Sequence, residues 1–252
     1  MLRGDPPGCR GFRGRTLVEH ERVLGVFAHP DDADVGSGGA LAQFVEAGAE
    51  VGLVVATAGD AGGFKEEGQD QIAGVRMAEQ RAAAACLGID DVTFLGHLDG
   101  EVRVTSELVR DIVAQIRIHR PTLVITMTPE HNWTNLAASH PDHRAVGEAA
   151  IQAIYPASRN PFAFRELKAS GLDPWMVEEV WLQGHHNPNH YVQLTPGQVE
   201  KKAQAVQCHA TQFEDMAFMT QYVWELARQG AVNGGLGRDR YAEEFLRYSA
   251  RE

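Results

Sequence analysis

His29-Pro30-Asp31-Asp32 places two adjacent carboxylates behind an imidazole. A second cluster, His140-Pro141-Asp142-His143, repeats that combination far downstream. Two neighbouring aspartates repel each other unless a cation or a basic group compensates them. They also point in different directions, so one can ligate a metal while the other faces the water beside it. A divalent ion held between the two clusters would have nitrogen and oxygen ligands, an open position and a spare carboxylate as base. That is the equipment of metal-dependent hydrolysis. A plainer reading, in which Asp31 and Asp32 only cap the next helix, leaves the matching second cluster unexplained.

The flanking residues say what must position these groups. Each cluster follows a continuous apolar run, at 23–28 (VLGVFA) and 122–127 (TLVITM). Further runs at 51–56 and 92–95 read as strands. Helices are expected at 38–47, 71–87 with Gly88 as its stop, 106–119, and 141–155 with proline in the first position. Strands that are apolar throughout and alternate with helices imply a Rossmann-like, mostly parallel α/β sheet with helices on both faces. Ligands in such sheets bind beyond the carboxyl ends of the strands, where both clusters fall. The C-terminal part adds strands at 177–182 and 191–194 and a helix at 196–209. One or two more helices are expected from Ala217 on, split near Gly234-Gly235. No linker divides the chain, so 21–252 is expected to be one domain and 1–20, rich in Gly, Pro and Arg, a disordered tail.

Composition narrows the function. The chain of 252 residues is 44% hydrophobic and 23% charged, with a formal net charge of -11. It has no basic surplus with which to bind nucleic acid. There is no apolar stretch long enough for a membrane span and no apolar signal segment. Cys9, Cys86 and Cys208 are dispersed and lack a CxxC pattern, so neither a disulfide framework nor a cysteine zinc site is expected. A reducing cytoplasm fits such usage. Gly36-Ser37-Gly38-Gly39 is not a dinucleotide loop, because the sixth position of the pattern is Leu41 and HPDD separates it from the strand.

At this point the residues resemble a family. AHPDD at 28–32 with GSGGAL at 36–41, and HPDHRAVGEAA at 140–150, are similar to the signatures of the PIG-L/LmbE-like zinc-dependent N-deacetylases. Further matching stretches are RMAEQR at 76–81, Leu87-Gly88, FLGHLDGE at 94–101, and Lys201 with His209-Ala210-Thr211-Gln212. The resemblance spans residues 22 to 213. It departs from the common AHPDDE form at Ala33-Asp34, where Asp34 stands in for a glutamate.

The resemblance implies that His29, Asp32 and His143 hold Zn2+, a site whose donor types also accept Fe2+. It implies Asp31 as general base, protonated His140 at the oxyanion or the leaving amine, and Asp142 as the group that orients a histidine. The implied reaction removes an acetyl or other acyl group from an amino-sugar-like small molecule. An amidase of thiol or natural-product conjugates, or a binding module without catalysis, are the alternatives. Arg76, Asp99 and Asn135 are expected to contact substrate, and Glu130, His131, Asn132 and Trp133 to line the pocket with Asn135. His185, His186 and His190 are expected on a polar surface or interface loop rather than in a second metal site, and a homo-oligomer stays open.

Overall fold

Alternate residues of the first apolar run go to opposite faces of one sheet. Val23 and Phe27 join a buried cluster with Leu41 and Phe44, whereas Leu24 and Val26 join another with Ile112 and Val146. Burial on both faces makes the strand apolar throughout. The structure, a computed structural model, describes residues 20–63, 68–133 and 136–251; the segment expected to be a tail lies almost wholly outside them. Among the described residues the strands are β1 (Arg22–Phe27), β2 (Glu50–Thr57), β3 (Asp91–His97), β4 (Leu123–Met127), β5 (Glu179–Gln183), β6 (His190–Leu194) and β7 (Tyr241–Ser249). They form one sheet in the order β3-β2-β1-β4-β5-β7-β6. The first five are parallel, and β7 runs antiparallel between β5 and β6.

Helices α1 (Asp32–Glu46), α2 (Ile72–Leu87), α6 (Pro196–Gln207) and α7 (Met216–Asn233) cover one face. Helices α3 (Ser106–His119) and α4 (Pro141–Gln152) cover the other, beside the short α5 (Arg165–Ala169). The connections leave β1 toward β2 and β3 on one side and toward β4 and β5 on the other. A crevice therefore opens at the carboxyl ends of β1 and β4. His29 follows β1, and the segment after β4 leads to His140. The expected Rossmann-like class is the observed one.

Two differences from the expectation have a clear physical reason. Helix α1 begins at Asp32, not Gly38. Its glycines read as a loop, but a Cβ at Gly36 would lie 2.3 Å from Gln183, and one at Gly39 would lie 2.4 Å from Leu194. The glycines buy close packing of a helix against its neighbours, and tertiary contact overrides propensity. The second correction is β7, where a helix was expected. Glu243, Glu244 and Arg247 gave Tyr241–Ser249 a helix-like composition. Pairing with both β5 and β6 makes it a strand, with Ala242, Phe245 and Leu246 buried.

Candidate active site

His29 and His143 meet across the crevice. Nδ1 of His29 lies 3.1 Å from Nε2 of His143, which lies 3.1 Å from Oδ1 of Asp32. The other oxygen of Asp32, Oδ2, lies 3.6 Å from His29 Nδ1. Donors at 2.0–2.1 Å around a tetrahedral ion stand about 3.3 Å apart, so these three side chains fit a zinc-type ion. The backbone fixes Asp32, because Oδ2 accepts the N–H groups of Ala28 at 3.1 Å and His29 at 2.8 Å. On the far side of the His29 ring, Nε2 lies 3.2 Å from Asp142 Oδ2 and 3.0 Å from Asp99 Oδ1. A proton held at Nε2 leaves the Nδ1 lone pair facing the other donors, as in carboxylate–histidine–metal sites. The histidine that Asp142 orients is thus His29. Oδ2 of Asp142 is held in turn by the N–H of Gly100 at 2.7 Å.

The electrostatics ask for a cation in the same place. Burial works against a charged His29, but the hydrogen bond to Asp99 and the charge of Asp32 lift it to about 9. Burial alone would raise the Asp32 carboxyl, but His143 and then His29 bring it down to about 2. Four aspartates, at 31, 32, 99 and 142, crowd this region, with the Arg76 guanidinium among them.

Asp31 stands beside this group with backbone in the left-handed region, at φ 98°. Such a conformation costs a non-glycine residue about 1–3 kcal/mol. Gln80 holds it there, its Oε1 accepting the Asp31 N–H at 2.8 Å. Burial and then the charge of Asp32 push the Asp31 carboxyl up to about 7, against the opposing pull of His209 and Arg76.

His140 differs from His143 in its proton. Its Nδ1 accepts the N–H of Asp142 at 3.3 Å, so the neutral ring carries hydrogen on Nε2 and presents a donor rather than a ligand lone pair. Burial, then His29 and His143, push its pKa below the ordinary value. That direction works against the cation that the sequence suggested.

These groups line a cavity of about 740 Å3. Arg76 borders it, but its Nη1 and Nη2 donate to the carbonyls of Gly59 and Pro30, each at 3.0 Å. A Cβ at Gly59 or Gly62 would lie 2.2 or 2.3 Å from that guanidinium, which accounts for glycine in this loop. Asp99 also borders the cavity, with one oxygen on His29 and the other 3.8 Å from Arg76. Asn135 lies outside the described residues. Met127 and Thr128 reach the cavity, whereas Glu130 turns to His185, 3.0 Å away. The sequence had offered no acidic partner for that histidine loop. The pair still makes a poor metal site: His185 Nδ1 accepts the Asn187 N–H at 3.0 Å, so Nε2 carries the proton given to Glu130. His190 packs instead on Trp181.

Comparison with known proteins meets this geometry. The profile of the family described as PIG-L, GlcNAc-PI de-N-acetylase, matches residues 24–154. A diacetylchitobiose deacetylase of Thermococcus kodakarensis is 31% identical over 88% of this chain and 81% of its own length. The chain belongs to the PIG-L family. A 1D-myo-inositol 2-acetamido-2-deoxy-alpha-D-glucopyranoside deacetylase of Kineococcus radiotolerans is 30% identical over 66% of this chain, which spans only 52% of that longer relative. The solved N,N'-diacetylchitobiose deacetylase of Pyrococcus horikoshii matches with a TM-score of 0.83 and 28% identity, covering 92% of this chain and 85% of its own.

The PIG-L motifs that looked irregular have clear places. Asp34 is fully buried, and its Oδ2 accepts from Gln80 Nε2 and from His209 Nε2, each at 2.9 Å. Burial opposes a charged His209, yet the Asp34 hydrogen bond and the charges of Asp34, Asp31 and Glu79 together raise its pKa. Gln80 thus ties Asp34, and behind it His209, to the backbone of Asp31. Lys201, singled out in the late PIG-L element, pairs with Glu46 away from the cavity. Its neighbour Lys202 is instead buried at the cavity, 2.6 Å from Glu243. Gln80, Lys202, Glu243 and Gln183 carry no local signal of their role. Only the one-turn spacing of Arg76 and Gln80 on a helix hinted that both face one site.

Proposed function

We propose that this chain is a zinc-dependent N-deacetylase that releases acetate from an N-acetylated amino sugar or a related small molecule. One observation carries this reading: His29 and His143 nitrogens lie 3.1 Å apart, and the Asp32 carboxylate reaches both, at 3.1 Å from His143 and 3.6 Å from His29, beside a second carboxylate, Asp31, that touches neither nitrogen. When bound, a divalent ion there polarises a carbonyl and acidifies a water toward a pKa of about 7. Asp31 takes the proton of the attacking water, and a carboxyl poised at about 7 suits that task. His140 donates its Nε2–H to the carbonyl oxygen as negative charge builds there. Asp142 and Asp99 keep His29 in the tautomer that leaves Nδ1 free. Arg76 holds the loops after β1 and β2 and keeps Asp31 from rising further.

The relatives whose names specify acetamido sugars support the substrate class, as does a cavity large enough for a disaccharide. Zinc is the metal proposed, and Fe2+ suits the same donors. We further propose that 21–252 work as one deacetylase domain in the cytoplasm. One sheet drawing strands from Arg22 to Ser249 supports the first part. Among the described residues no helix is long and apolar enough to cross a membrane. The test is to incubate zinc-loaded protein with N-acetylglucosamine, diacetylchitobiose and an N-acetylglucosaminyl inositol and to assay acetate and free amine together. Stoichiometric release from at least one is expected; no release from any, with metal in place, would contradict the reading.

A further inference from the structure

Cys86 and Cys208 are 122 positions apart in the sequence, yet their Sγ atoms lie 3.8 Å apart. Cys86 stands in the last turn of α2, and Cys208 caps the end of α6. Both are free thiols and half-buried. Nothing in their spacing suggested a pair; packing of α2 on α6 makes it. A disulfide has its sulfurs about 2.05 Å apart. The remaining gap is less than 2 Å between two unbranched side chains.

We propose that Cys86 and Cys208 are a disulfide site, oxidised by low-molecular-weight disulfides to a covalent staple between α2 and α6. The chemistry is two exchanges. One cysteine thiolate attacks a sulfur of the small disulfide, forming a mixed disulfide and expelling a small thiolate. The second cysteine thiolate attacks the protein sulfur of that mixed disulfide and expels the other small thiolate. Two protein thiols lose two protons and two electrons, and one small disulfide gains both to become two small thiols. Burial, then the neighbouring Cys86, push the Cys208 thiol up to about 11. Attack by Cys208 is therefore favoured by mild alkali.

The staple links elements that matter to the site. Helix α2 carries Arg76 and Gln80, and α6 carries Lys202 and leads into His209. The helices are already packed together, so closure holds the arrangement as it is. The gain comes from the unfolded chain, where the bond closes a long loop. The result is a staple rather than a switch, and it stands independently of the metal reading.

The experiment uses the full chain with Cys9→Ser, to remove the third thiol. The protein is equilibrated with oxidised glutathione at mildly alkaline pH, quenched with acid, alkylated under denaturing conditions and mapped by mass spectrometry. Expected are an intact mass lower by two hydrogens, no alkylated cysteine and a Cys86–Cys208 cross-linked peptide. Thermal unfolding should rise by about 10 °C over the reduced form. Cys86→Ser and Cys208→Ser should each lack both changes. Two alkylatable thiols after equilibration, or a persistent glutathione adduct on either cysteine, would overturn the assignment. A cross-link with no gain in thermal stability would overturn its role as a staple.

Discussion

The Arg76 guanidinium lies 3.9 Å from the Asp31 carboxylate while its own N–H groups hold the carbonyls of Gly59 and Pro30. It lowers the pKa of a carboxyl that burial and Asp32 raise to about 7. A general base must be ionised, so kcat/KM should fall as pH drops through the Asp31 pKa. A bound divalent ion stabilises the carboxylate, so the acid limb of the loaded enzyme should lie at or below about 7. Arg76→Gln should move that limb upward, and Arg76→Lys, which keeps the charge, should move it less. A limb unmoved by Arg76→Gln would separate Asp31 from the pH dependence.

Asp31→Asn isolates proton transfer from metal binding. The amide keeps the shape of the side chain and cannot act as base. Metal content should stay at the wild-type level while kcat falls roughly a hundred- to ten-thousand-fold. Turnover near the wild-type rate would remove Asp31 from the chemistry.

His140 shares its motif with His143 yet is assigned a different task. With Nδ1 accepting a backbone N–H, it should act as a neutral donor. His140→Ala should keep the metal and lower kcat by roughly a hundred- to a thousand-fold, the effect of one oxyanion donor. The wild-type profile should show no alkaline limb that disappears in this variant. If one does disappear, the ring works as a cation.

Much of this is legible in the sequence. Continuous apolar runs ending in HPDD and HPDH placed both clusters at one edge of a parallel sheet, because strands buried on two faces cannot alternate. What stayed hidden depended on contacts between distant segments. The Gln80 bridge to Asp31 and Asp34 joins an exposed-looking helix to the start of α1, 49 and 46 positions away. Lys201 and Lys202 are neighbours in sequence, and only the rotation of α6 decides which is buried. In β7 the charge of Glu243 concealed a strand, since its partners, Lys202 and the α1 backbone, lie elsewhere in the chain.

That buried pair yields a stability prediction. Glu243 accepts from Lys202 at 2.6 Å and from the N–H groups of Gly39 and Ala40 at 2.9 and 2.7 Å. Lys202→Met leaves the carboxylate buried with no countercharge. The expected loss is about 3–5 kcal/mol in denaturant unfolding. Adding Glu243→Gln should recover part of it. A single variant as stable as wild type would show that the pair contributes little.

The most direct test of the central claim is metal content. His29 and His143 are assigned as ligands and His140 is not, although all three rings lie within 5.1 Å of one another between centroids. Each variant, His29→Ala, His143→Ala and His140→Ala, is purified, equilibrated with limiting Zn2+, desalted and measured by elemental analysis. One ion per chain is expected for wild type and His140→Ala, and loss of most of it for the other two. Retention in His143→Ala with loss in His140→Ala would exchange the two roles, and full retention in both His29→Ala and His143→Ala would contradict the metal centre itself.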